Sequence, residues 1–587
     1  MLKWIKVLIL SLIIIIKFNN VFAGDIPIIV IAPSKKAQSI STVGTSVTVL
    51  DEKFFQNSNE MFLGDILAGS STSINFFQNG TLGQTSGIQL RGLPKRYSTV
   101  YIDGVKMSDP ASPSNDYTFN HILTSQISRV EILKGNQSSV YGSGAIGGTI
   151  NITTKKGEKG FQKNLQYNNA SHGTNNLLLS ISGADENDNF YIGLERFQTD
   201  GMSAMTHNDE KDRYRNNSVV ASYAHKFSDK VKLESNIRVA ETYTQYDKEV
   251  DTVTADHSEE LDALESSSNI SLVYKPNNKF TNKLTLANTY IKRIAAETPN
   301  SGNILQDNYY GDRYGFMYFG NYNFNLDNSV AFGFEREENQ MGYNKDMSGR
   351  VNTDTYVTSS YFDYQRRVTN NIYATFGSRF DEHKLAGNEE AHRATLAYLF
   401  DDKSMKLKSS YGTGFRFPSL YEFFYQDSGT HILRAEKSES FDLGIEKSFL
   451  DLGFSIDASY FNIMYYDTLE AWNTSGWLAQ NLPGTVKTQG LELVSKWKKS
   501  DKLNFDLNYT YTSTYDGAEQ DDPNKNESYH DSRLVRVPRN IINLVSSIKI
   551  PDYKNLDLSL RTKWSDSSRD YGNGNRTWSD ERQMIIW

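Results

Sequence analysis

The chain contains no cysteine. Disulfides, thiol catalysis and cysteine-ligated metal sites are therefore excluded. Beyond its first residues it also lacks any apolar run approaching about eighteen residues, the length that a membrane-spanning helix needs. The nine histidines are scattered, and no nucleophile or metal-protease motif accompanies them, so we expect no enzyme. A formal net charge of −8 argues against a nucleic-acid partner.

Aliphatic residues are also scarce for a chain of this length. Hydrophobic residues make up only 38% of the sequence, yet it contains 35 Tyr and 31 Phe. A soluble domain of this size would normally use more Leu, Ile and Val for its core. A transmembrane β-barrel needs one apolar face per strand, aromatic girdles and a polar lumen. The composition therefore favours a barrel, with a soluble exported β-protein as the alternative.

The first residues have the pattern of a secretory signal. Lys3 and Lys6 precede a short apolar run at 7–16, and small residues follow at 21–23. The apolar run is too short to cross a bilayer, and its flanks suit cleavage by signal peptidase better than a buried helix. We therefore predict a signal peptide over residues 1–23.

Residues from about 158 to the end alternate between apolar and polar. Leu503, Phe505 and Leu507, for example, alternate with Asn504 and Asp506. Nine short polar clusters, from 187–189 to 551–553, interrupt the pattern at intervals of mostly 40 to 52 residues. Each interval fits two strands of about ten residues and one long loop, whereas a β-sandwich would turn every 8–12 residues. The pattern predicts an all-β, multi-pass barrel of about 20–22 antiparallel strands over 158–587 in the outer membrane.

The preceding residues differ from the predicted barrel in composition. Residues 24 to 157 are rich in Gly and Ser and mix brief strands with a possible helix at 60–67. A barrel of this size has a lumen too wide for its own side chains to fill. We therefore predict an α/β plug domain at 43–157, joined to the N-terminus by a polar tether within 24–42.

Residues 87–156 of the predicted plug contain several short motifs, whose main residues are Arg91, Gly92, Asp103, Gly104, Arg129, Glu131, Lys134, Gly142, Gly144, Gly147 and Gly148. These motifs resemble those of the TonB-dependent outer-membrane receptors, in the family's order and spacing. The resemblance implies energy-coupled import of a scarce small-molecule ligand, with TonB of the inner-membrane energising complex as partner and outer-membrane lipid around the barrel. A passive porin and a surface enzyme are the alternatives from other classes.

Two features of these motifs have competing interpretations. Gly142, Gly144 and Gly147 form a GxGxxG pattern, which in a dinucleotide site is followed by a helix. The segment after it, 149–153, has the pattern of a strand, so a dinucleotide site is not expected. Arg129 and Glu131 share one face of a strand, where we expect them either to pair with barrel charges or to be solvated.

The start of the predicted mature chain resembles the family's TonB box. The residues concerned are Ile26, Pro27, Ile28, Ile29, Val30, Ile31 and Ala32, followed by the polar run 33–42. An extended apolar segment on a tether can add a strand to the edge of a partner's sheet. A first strand of the plug is the alternative.

Within the family, the plug is most similar to that of the cobalamin receptors. The resemblance implies cobalamin or a related corrinoid as ligand; a ferric siderophore or haem, for which His431 is a candidate contact, remain alternatives. Two segments that should face outward, 93–98 and 108–117, supply the candidate ligand contacts Lys95, Arg96, Tyr97, Asn115 and Asp116. The same resemblance implies calcium in the outer loops at Asp209, Asp212 and Asp247, although Ser203 replaces one expected acid. No other cofactor is expected.

The end of the chain has one long polar segment, 565–582, followed by a short apolar run at 583–587. We count twenty strands, of which this run is the last. The resemblance implies two more strands and a closing hairpin, which have no counterpart here. The sequence therefore predicts that the barrel's last strands are missing from the chain.

Overall fold

A computed structural model describes most of the chain. It covers residues 28–203, 211–247, 258–297, 305–345, 349–424, 432–470, 479–500, 502–520, 533–550, 556–569, 578–579 and 584–586. The predicted signal peptide and the predicted site residues Ile26, Pro27, Asp209 and His431 lie outside these ranges. Among the described residues, no helix is both long and apolar enough to cross a bilayer.

The N-terminal part is a small α/β unit. Its strands are β1 (Ile29–Val30), β2 (Gln38–Ser39), β3 (Val47–Leu50), β4 (Ile74–Gln78), β5 (Ser86–Leu90), β6 (Ser98–Ile102), β7 (Val105–Lys106), β8 (Ile127–Lys134) and β9 (Gly148–Thr154). Its helices are α1 (Glu52–Gln56), α2 (Leu63–Ser70) and α3 (Ser138–Tyr141), with 3-10 turns at Ala32–Ser34, Ile40–Thr42, Lys95–Tyr97, Phe119–His121 and Thr124–Gln126. The helix expected at 60–67 begins at Leu63, and α1, capped by the Asp51 side chain, was not predicted.

Five strands of this unit form one sheet with two unlike faces. The strand order is β3-β8-β9-β6-β7, and β6 and β9 run parallel. Val100, Ile132 and Ile150 point to one face, where they join an apolar core with Leu63 and Ile66 of α2. Residues of the opposite parity, including Tyr101, Arg129, Glu131 and Asn151, lie on the other face. The polar face of the plug sheet is therefore turned towards the lumen wall.

In the part of the chain that the structure describes, a single antiparallel sheet of twenty strands surrounds the plug. Its strands are β10 (Gly160–Ala170), β11 (Thr174–Ala184), β12 (Asp188–Thr199), β13 (Tyr214–Lys226), β14 (Val231–Asp247), β15 (Ser258–Asn277), β16 (Phe280–Glu297), β17 (Leu305–Asn323), β18 (Asn328–Lys345), β19 (Gly349–Arg367), β20 (Ile372–His383), β21 (Gly387–Leu399), β22 (Met405–Arg416), β23 (Glu436–Phe449), β24 (Phe454–Tyr466), β27 (Thr485–Ser500), β28 (Leu503–Asp516), β29 (Asn540–Ile550), β30 (Leu556–Ser565) and β33 (Met584–Ile586). Eight of the nine predicted turns lie at a connection between two consecutive strands, and the ninth, 551–553, lies outside the described residues. The predicted barrel is confirmed.

The segments between these strands add short elements on the long-loop side. They are β25 (Leu469–Glu470), β26 (Gln480–Asn481), β31 (Ser568–Arg569), β32 (Trp578–Ser579), α4 (Leu420–Phe424) and α5 (Gly517–Gln520), while a 3-10 turn at Leu450–Leu452 occupies a short connection. Among the residues that the structure describes, the first strand of the sheet, β10, pairs with β11, and the last strand, β33, pairs with β30. That the barrel's last strands are missing from the chain stays a prediction.

The barrel strands bury polar residues and expose apolar ones. In β27, Leu491 is 53% exposed on the outer surface, whereas its neighbour Glu492 is 5% exposed in the lumen. Leu177, Leu179 and Ile181 of β11 likewise point outward. Because strand side chains alternate with period two, the same pattern that makes an apolar outer band also supplies the plug with charged partners.

Candidate functional site: the plug apex, the N-terminal segment and the lumen cavity

A buried ion cluster joins the plug to one side of the barrel. Arg91 is fully buried, and its Nε lies 3.1 Å from Glu492 Oε1 while Nη1 contacts Asp442. Lys134 Nζ lies 3.5 Å from the same Glu492 oxygen and donates to the Thr72 carbonyl oxygen at 2.8 Å. Burial alone would lower the pKa of Arg91, but the two carboxylates outweigh it and raise that pKa. We call Arg91, Lys134, Asp442 and Glu492 the ion cluster.

The glycines and Asp103 of the motifs serve tight turns. Asp103 and Gly104, at φ +49° and +83°, form the turn between β6 and β7. The Asp103 carboxylate accepts a hydrogen bond from Thr154 Oγ1 at 2.6 Å, which ties this turn to the end of β9. Gly142 lies against Arg379 of the wall, and Gly144 N donates to the Phe415 carbonyl oxygen at 3.0 Å. Gly142 and Gly144 therefore lie where the plug packs directly against the barrel wall.

The rival interpretation of these glycines as a dinucleotide loop does not fit the structure. The four-residue helix α3 precedes Gly142, and the segment that follows Gly147 is strand β9, as the sequence predicts. A pyrophosphate site of this type needs a helix N-terminus after the glycines. Gly147 N instead donates to the Tyr97 carbonyl oxygen at 2.7 Å.

Gly148 has no room for a side chain. Its φ is +145°, and a Cβ placed there would lie 2.1 Å from the Leu133 carbonyl oxygen on β8. We therefore predict that Gly148→Ala strains or separates the β8–β9 pair and lowers plug stability by at least about 2 kcal/mol. Limited proteolysis of the purified receptor measures this, with Gly69→Ala as the matched control because nothing lies within 4 Å of a Cβ there. Equal protease resistance of the two variants would contradict the prediction.

The five predicted ligand contacts lie together near the long-loop end, but they differ in exposure. Tyr97 is fully buried and its hydroxyl donates to Glu436 at 2.8 Å. Asp116 is also buried and pairs with Lys95, whose Nζ lies 2.9 Å from Asp116 Oδ2. Burial would raise the pKa of Asp116, but the Lys95 ammonium outweighs this and lowers it. Lys95, Arg96 and Asn115 are the three with partly exposed side chains.

The part of the N-terminal segment that the structure describes is held on the polar face of the plug sheet. Strand β1 pairs with β2, and the backbone N–H groups of Ile31 and Ala32 donate to Glu131 Oε2 at 2.9 and 2.8 Å. Arg129 Nη2 donates to the Ile29 carbonyl oxygen at 2.5 Å, and its Nε pairs with Glu131 at 2.8 Å. Neither expected alternative, pairing with barrel charges or solvation, describes Arg129 and Glu131: they bind each other and the N-terminal segment.

Beyond this contact, the segment also reaches the barrel wall. Lys35 Nζ lies 2.6 Å from Glu335 Oε1, and Lys36 Nζ donates to Ser329 Oγ at 2.7 Å, one residue into β18 from the short-turn end. Ile28, Ile29 and Ile31 remain 52%, 46% and 54% exposed. The segment therefore presents apolar side chains at the short-turn end of the lumen while its polar groups are held by plug and barrel.

A cavity of about 730 Å³ lies between the polar face of the plug sheet and strands β12 to β20. Its wall contains Glu335, Arg379 and Asp381, in which Arg379 bridges the two acids at 2.8 and 2.6 Å. Arg379 Nη1 also donates to the Val140 carbonyl oxygen at 3.2 Å. The volume falls in the range of about 300–1,000 Å³ found for small-molecule sites.

The calcium prediction rests partly on residues that the structure does not describe. Asp209 lies outside the described ranges, Asp212 is buried, and Asp247 is the last residue of β14. Among the described residues, no group of three or more His, Asp or Glu side chains is placed to hold a metal ion. Calcium binding stays a prediction.

Sequence reasoning missed the barrel residues that meet the plug. The acids of the ion cluster, Asp442 and Glu492, were not singled out, nor were Glu335 and Arg379. Glu492 had a usable signal, because it is a lone acid between Leu491 and Leu493 in a strand pattern. The period-two pattern of the strand places Glu492 on the inner face of the barrel. Which plug residue it contacts depends on how the barrel closes around the plug.

Comparison with known families identifies the protein class. The profile described as TonB dependent receptor-like, beta-barrel matches residues 160–583, and the TonB-dependent Receptor Plug Domain profile matches residues 39–149. The chain belongs to the TonB-dependent receptor family, whose members are outer-membrane proteins.

Among curated relatives, the vitamin B12 transporter BtuB of Vibrio cholerae is 24% identical over 80% of this chain and 75% of its own length. The protein of the same name from Photobacterium profundum is 25% identical over 75% of this chain and 71% of its own length.

Similar solved structures carry other names. The ferric enterobactin receptor PfeA of Pseudomonas aeruginosa superposes with a TM-score of 0.75 at 16% identity, over 93% of this chain and 91% of that one. The ferric yersiniabactin uptake receptor FyuA of Yersinia pestis gives 0.73 at 17% identity, over 92% and 89%. At such identities the likeness concerns the fold alone.

Proposed function

We propose that this receptor imports cobalamin or a related corrinoid across the outer membrane, using energy delivered through TonB to the segment that begins at Ile26. The observation that carries the ligand is the likeness of four-fifths of the chain to vitamin B12 transporters. The ligand binds at the plug apex and outer loops, and the outward apolar residues of the barrel contact lipid.

The charge of the long segment between β14 and β15 supports a neutral ligand over an anionic one. Its residues 248–257 include the acids Glu249, Asp251 and Asp256 and a single lysine, Lys248, and the acids Asp247, Glu259 and Glu260 flank it in sequence. The segment between β28 and β29 is nearly balanced, with five acids and the four basic residues Lys525, Arg533, Arg536 and Arg539. Like-charge approach costs binding energy, so a ferric catecholate complex, which is anionic, would be disfavoured relative to a neutral, amide-rich corrinoid.

A direct binding panel tests the ligand. Purified receptor is titrated with cyanocobalamin, a ferric catecholate siderophore and haem, with calcium present and with a chelator. We expect cyanocobalamin to bind with a Kd below about 1 μM, equivalent to about −8 kcal/mol. Preferential binding of the siderophore or haem would contradict the corrinoid assignment and leave the class of receptor unchanged. Weaker binding in the presence of the chelator would support the predicted calcium site.

The apical contacts give a sharper expectation. Replacing Lys95, Arg96 and Asn115 together by Ala should raise the Kd for the bound ligand at least about tenfold, or about 1.4 kcal/mol, because these three side chains are partly exposed near the long-loop end. Lys502→Ala is the control, since it removes a charge at a short turn on the opposite end of the barrel. An unchanged Kd in the triple variant would remove these residues from the site.

A further inference from the structure

The lumen cavity described above has an excess of basic side chains in its wall. It extends from Lys283, near the short turns, to His383, at the long-loop end of β20. Eleven Lys and Arg residues line it, against six Asp and Glu residues. Most of these charges are balanced by close partners, as Arg379 is by Glu335 and Asp381. Two groups are not balanced, because in each of them one carboxylate serves two cations.

The first unbalanced group joins the plug to the barrel wall. Glu337 of β18 lies 3.5 Å from Lys106 Nζ of β7 and 3.2 Å from Arg313 Nε of β17. Arg313 Nε also donates to Asn339 Oδ1 at 2.7 Å, and its Nη1 donates to the carbonyl oxygens of Lys106 and Ser108. Within the described part of the chain, Arg313 Nη2 has no partner and Lys106 Nζ has only Glu337. Both cations therefore keep N–H groups that can donate to a further acceptor.

The second unbalanced group is more exposed than the first. There Glu234 lies 2.9 Å from both Lys232 Nζ and Lys283 Nζ. The two lysine side chains are 47% and 39% exposed, whereas Lys106 and Arg313 are 17% and 6% exposed. Water and salt screen an exposed charge much more strongly than a buried one. The group around Glu337 therefore attracts an anion more strongly than the group around Glu234.

Two buried hydroxyls lie on the same face of the plug as Lys106. Tyr101 pairs with Lys106 in the β6–β7 hairpin, so Thr99 and Ser108, two residues further along their strands, share that face. Thr99 is 3% exposed, Ser108 is 4% exposed, and both line the cavity. Neither side-chain oxygen has a hydrogen-bond partner among the residues described. Because buried hydroxyls are normally paired, these two indicate that the cavity holds a polar occupant here.

We propose that this part of the cavity binds a small oxyanion of the phosphate class. Its donors are Lys106 Nζ, Arg313 Nη2 and the hydroxyls of Thr99 and Ser108. Glu337 holds the two cations in position and offsets one of their two charges, so that one positive charge is left for the anion. Oxyanions accept several hydrogen bonds at once, and bonds from charged donors are the strong ones. The inference goes beyond the proposed import function and does not depend on it.

The same chemistry describes two sources of the oxyanion. One is a free phosphate ion, and the other is the phosphodiester group that a nucleotide-bearing corrinoid carries. Dimethyl phosphate is a small phosphodiester and separates the two as a competitor of bound phosphate. Displacement of phosphate by dimethyl phosphate would extend the site to the ligand's phosphodiester, and its failure to displace phosphate would restrict the site to the free ion.

The experiment measures the transverse relaxation of the phosphorus nucleus of inorganic phosphate, titrated against the purified full-length receptor in detergent. We expect saturable binding with a Kd of about 1 mM or lower, and displacement by sulfate. Lys106→Gln should raise this Kd at least about tenfold, because it removes a charged donor. Lys232→Gln is the matched control, since it removes a lysine from the exposed group in the same cavity, and it should leave the Kd unchanged.

A second variant keeps every charge in place. Thr99→Val combined with Ser108→Ala removes only the two unpaired hydroxyls, and it should raise the Kd for phosphate at least about threefold. Heat-modifiable mobility on gels shows that each barrel is folded. If Lys106→Gln is not recovered as a folded receptor, the double variant tests the site in its place.

Three results would overturn the site. They are the absence of saturable phosphate binding to the folded receptor, a Kd that Lys106→Gln and the double variant leave unchanged, and a Kd that Lys232→Gln raises as much as Lys106→Gln does. The assay contains neither corrinoid nor TonB. A failure here would therefore leave the proposed import function in place, and a failure of energised uptake would leave the phosphate result in place.

Discussion

Ile29→Pro should reduce energised uptake to the level of cells that lack TonB, while ligand binding stays unchanged. Ile29 lies in β1, and with Ile28 and Ile31 it forms an exposed apolar stretch at the short-turn end of the lumen. Pro removes a backbone donor and fixes φ, so the segment can no longer add a regular strand to a partner's sheet. The apical residues lie at the other end of the plug, so binding is spared.

The control for this variant is Ile29→Val, which keeps the N–H group and the β-branched side chain. We expect it to support uptake close to that of the unmodified chain. Uptake and equilibrium binding are measured on the same cells, so that a loss of receptor is separated from a loss of coupling. Full uptake by the Pro variant would show that this segment is a plug strand without a coupling role.

Arg91→Ala should weaken the contact between plug and barrel more than any other single substitution. It leaves Glu492 and Asp442 buried without their guanidinium partner, which typically costs about 3–5 kcal/mol. The Arg91 side chain also packs over the Phe461 ring, at 4.7 Å from its centroid. We expect a lower melting temperature, faster proteolysis of the plug and leakage of large antibiotics through the outer membrane.

A second set of substitutions separates charge from packing in this variant. Adding Asp442→Asn to Arg91→Ala should restore part of the loss, because Asp442 is then a buried carboxylate without its cation, whereas Glu492 keeps Lys134 at 3.5 Å. Lys232→Ala, which breaks the exposed pair between Lys232 and Glu234, should change stability by less than about 1 kcal/mol. Wild-type melting and protease resistance in Arg91→Ala would contradict the role assigned to the ion cluster.

The barrel was predictable because each strand carries its own signal. Period-two alternation identifies strands such as β28, and the nine short turns set their number and order. The tight turn at Asp103–Gly104 likewise depends on local chemistry, because Asp and Gly are among the residues that tolerate the positive φ found there. These features depend on neighbours in sequence.

The contacts between plug and barrel were less predictable because they join residues hundreds of positions apart. Arg91 was recognised as a motif residue, but its partner Glu492 lies 401 positions later. Tyr97 was expected at the ligand, but its ring packs on Tyr465 at 4.8 Å between centroids and its hydroxyl binds Glu436. Arg129 and Glu131 were expected either to pair with barrel charges or to be solvated, because nothing in the strand pattern shows that the N-terminal segment folds back onto them.

The most direct test of the account is uptake of radiolabelled cyanocobalamin by cells that lack their own cobalamin receptor and express this chain. We expect accumulation that depends on both the receptor and TonB, and that stops when the proton gradient is dissipated, while binding to the cell surface persists. Accumulation that is equal with and without TonB would contradict energy-coupled import. Tight surface binding of another ligand from the panel, with TonB-dependent uptake of that ligand alone, would contradict the corrinoid.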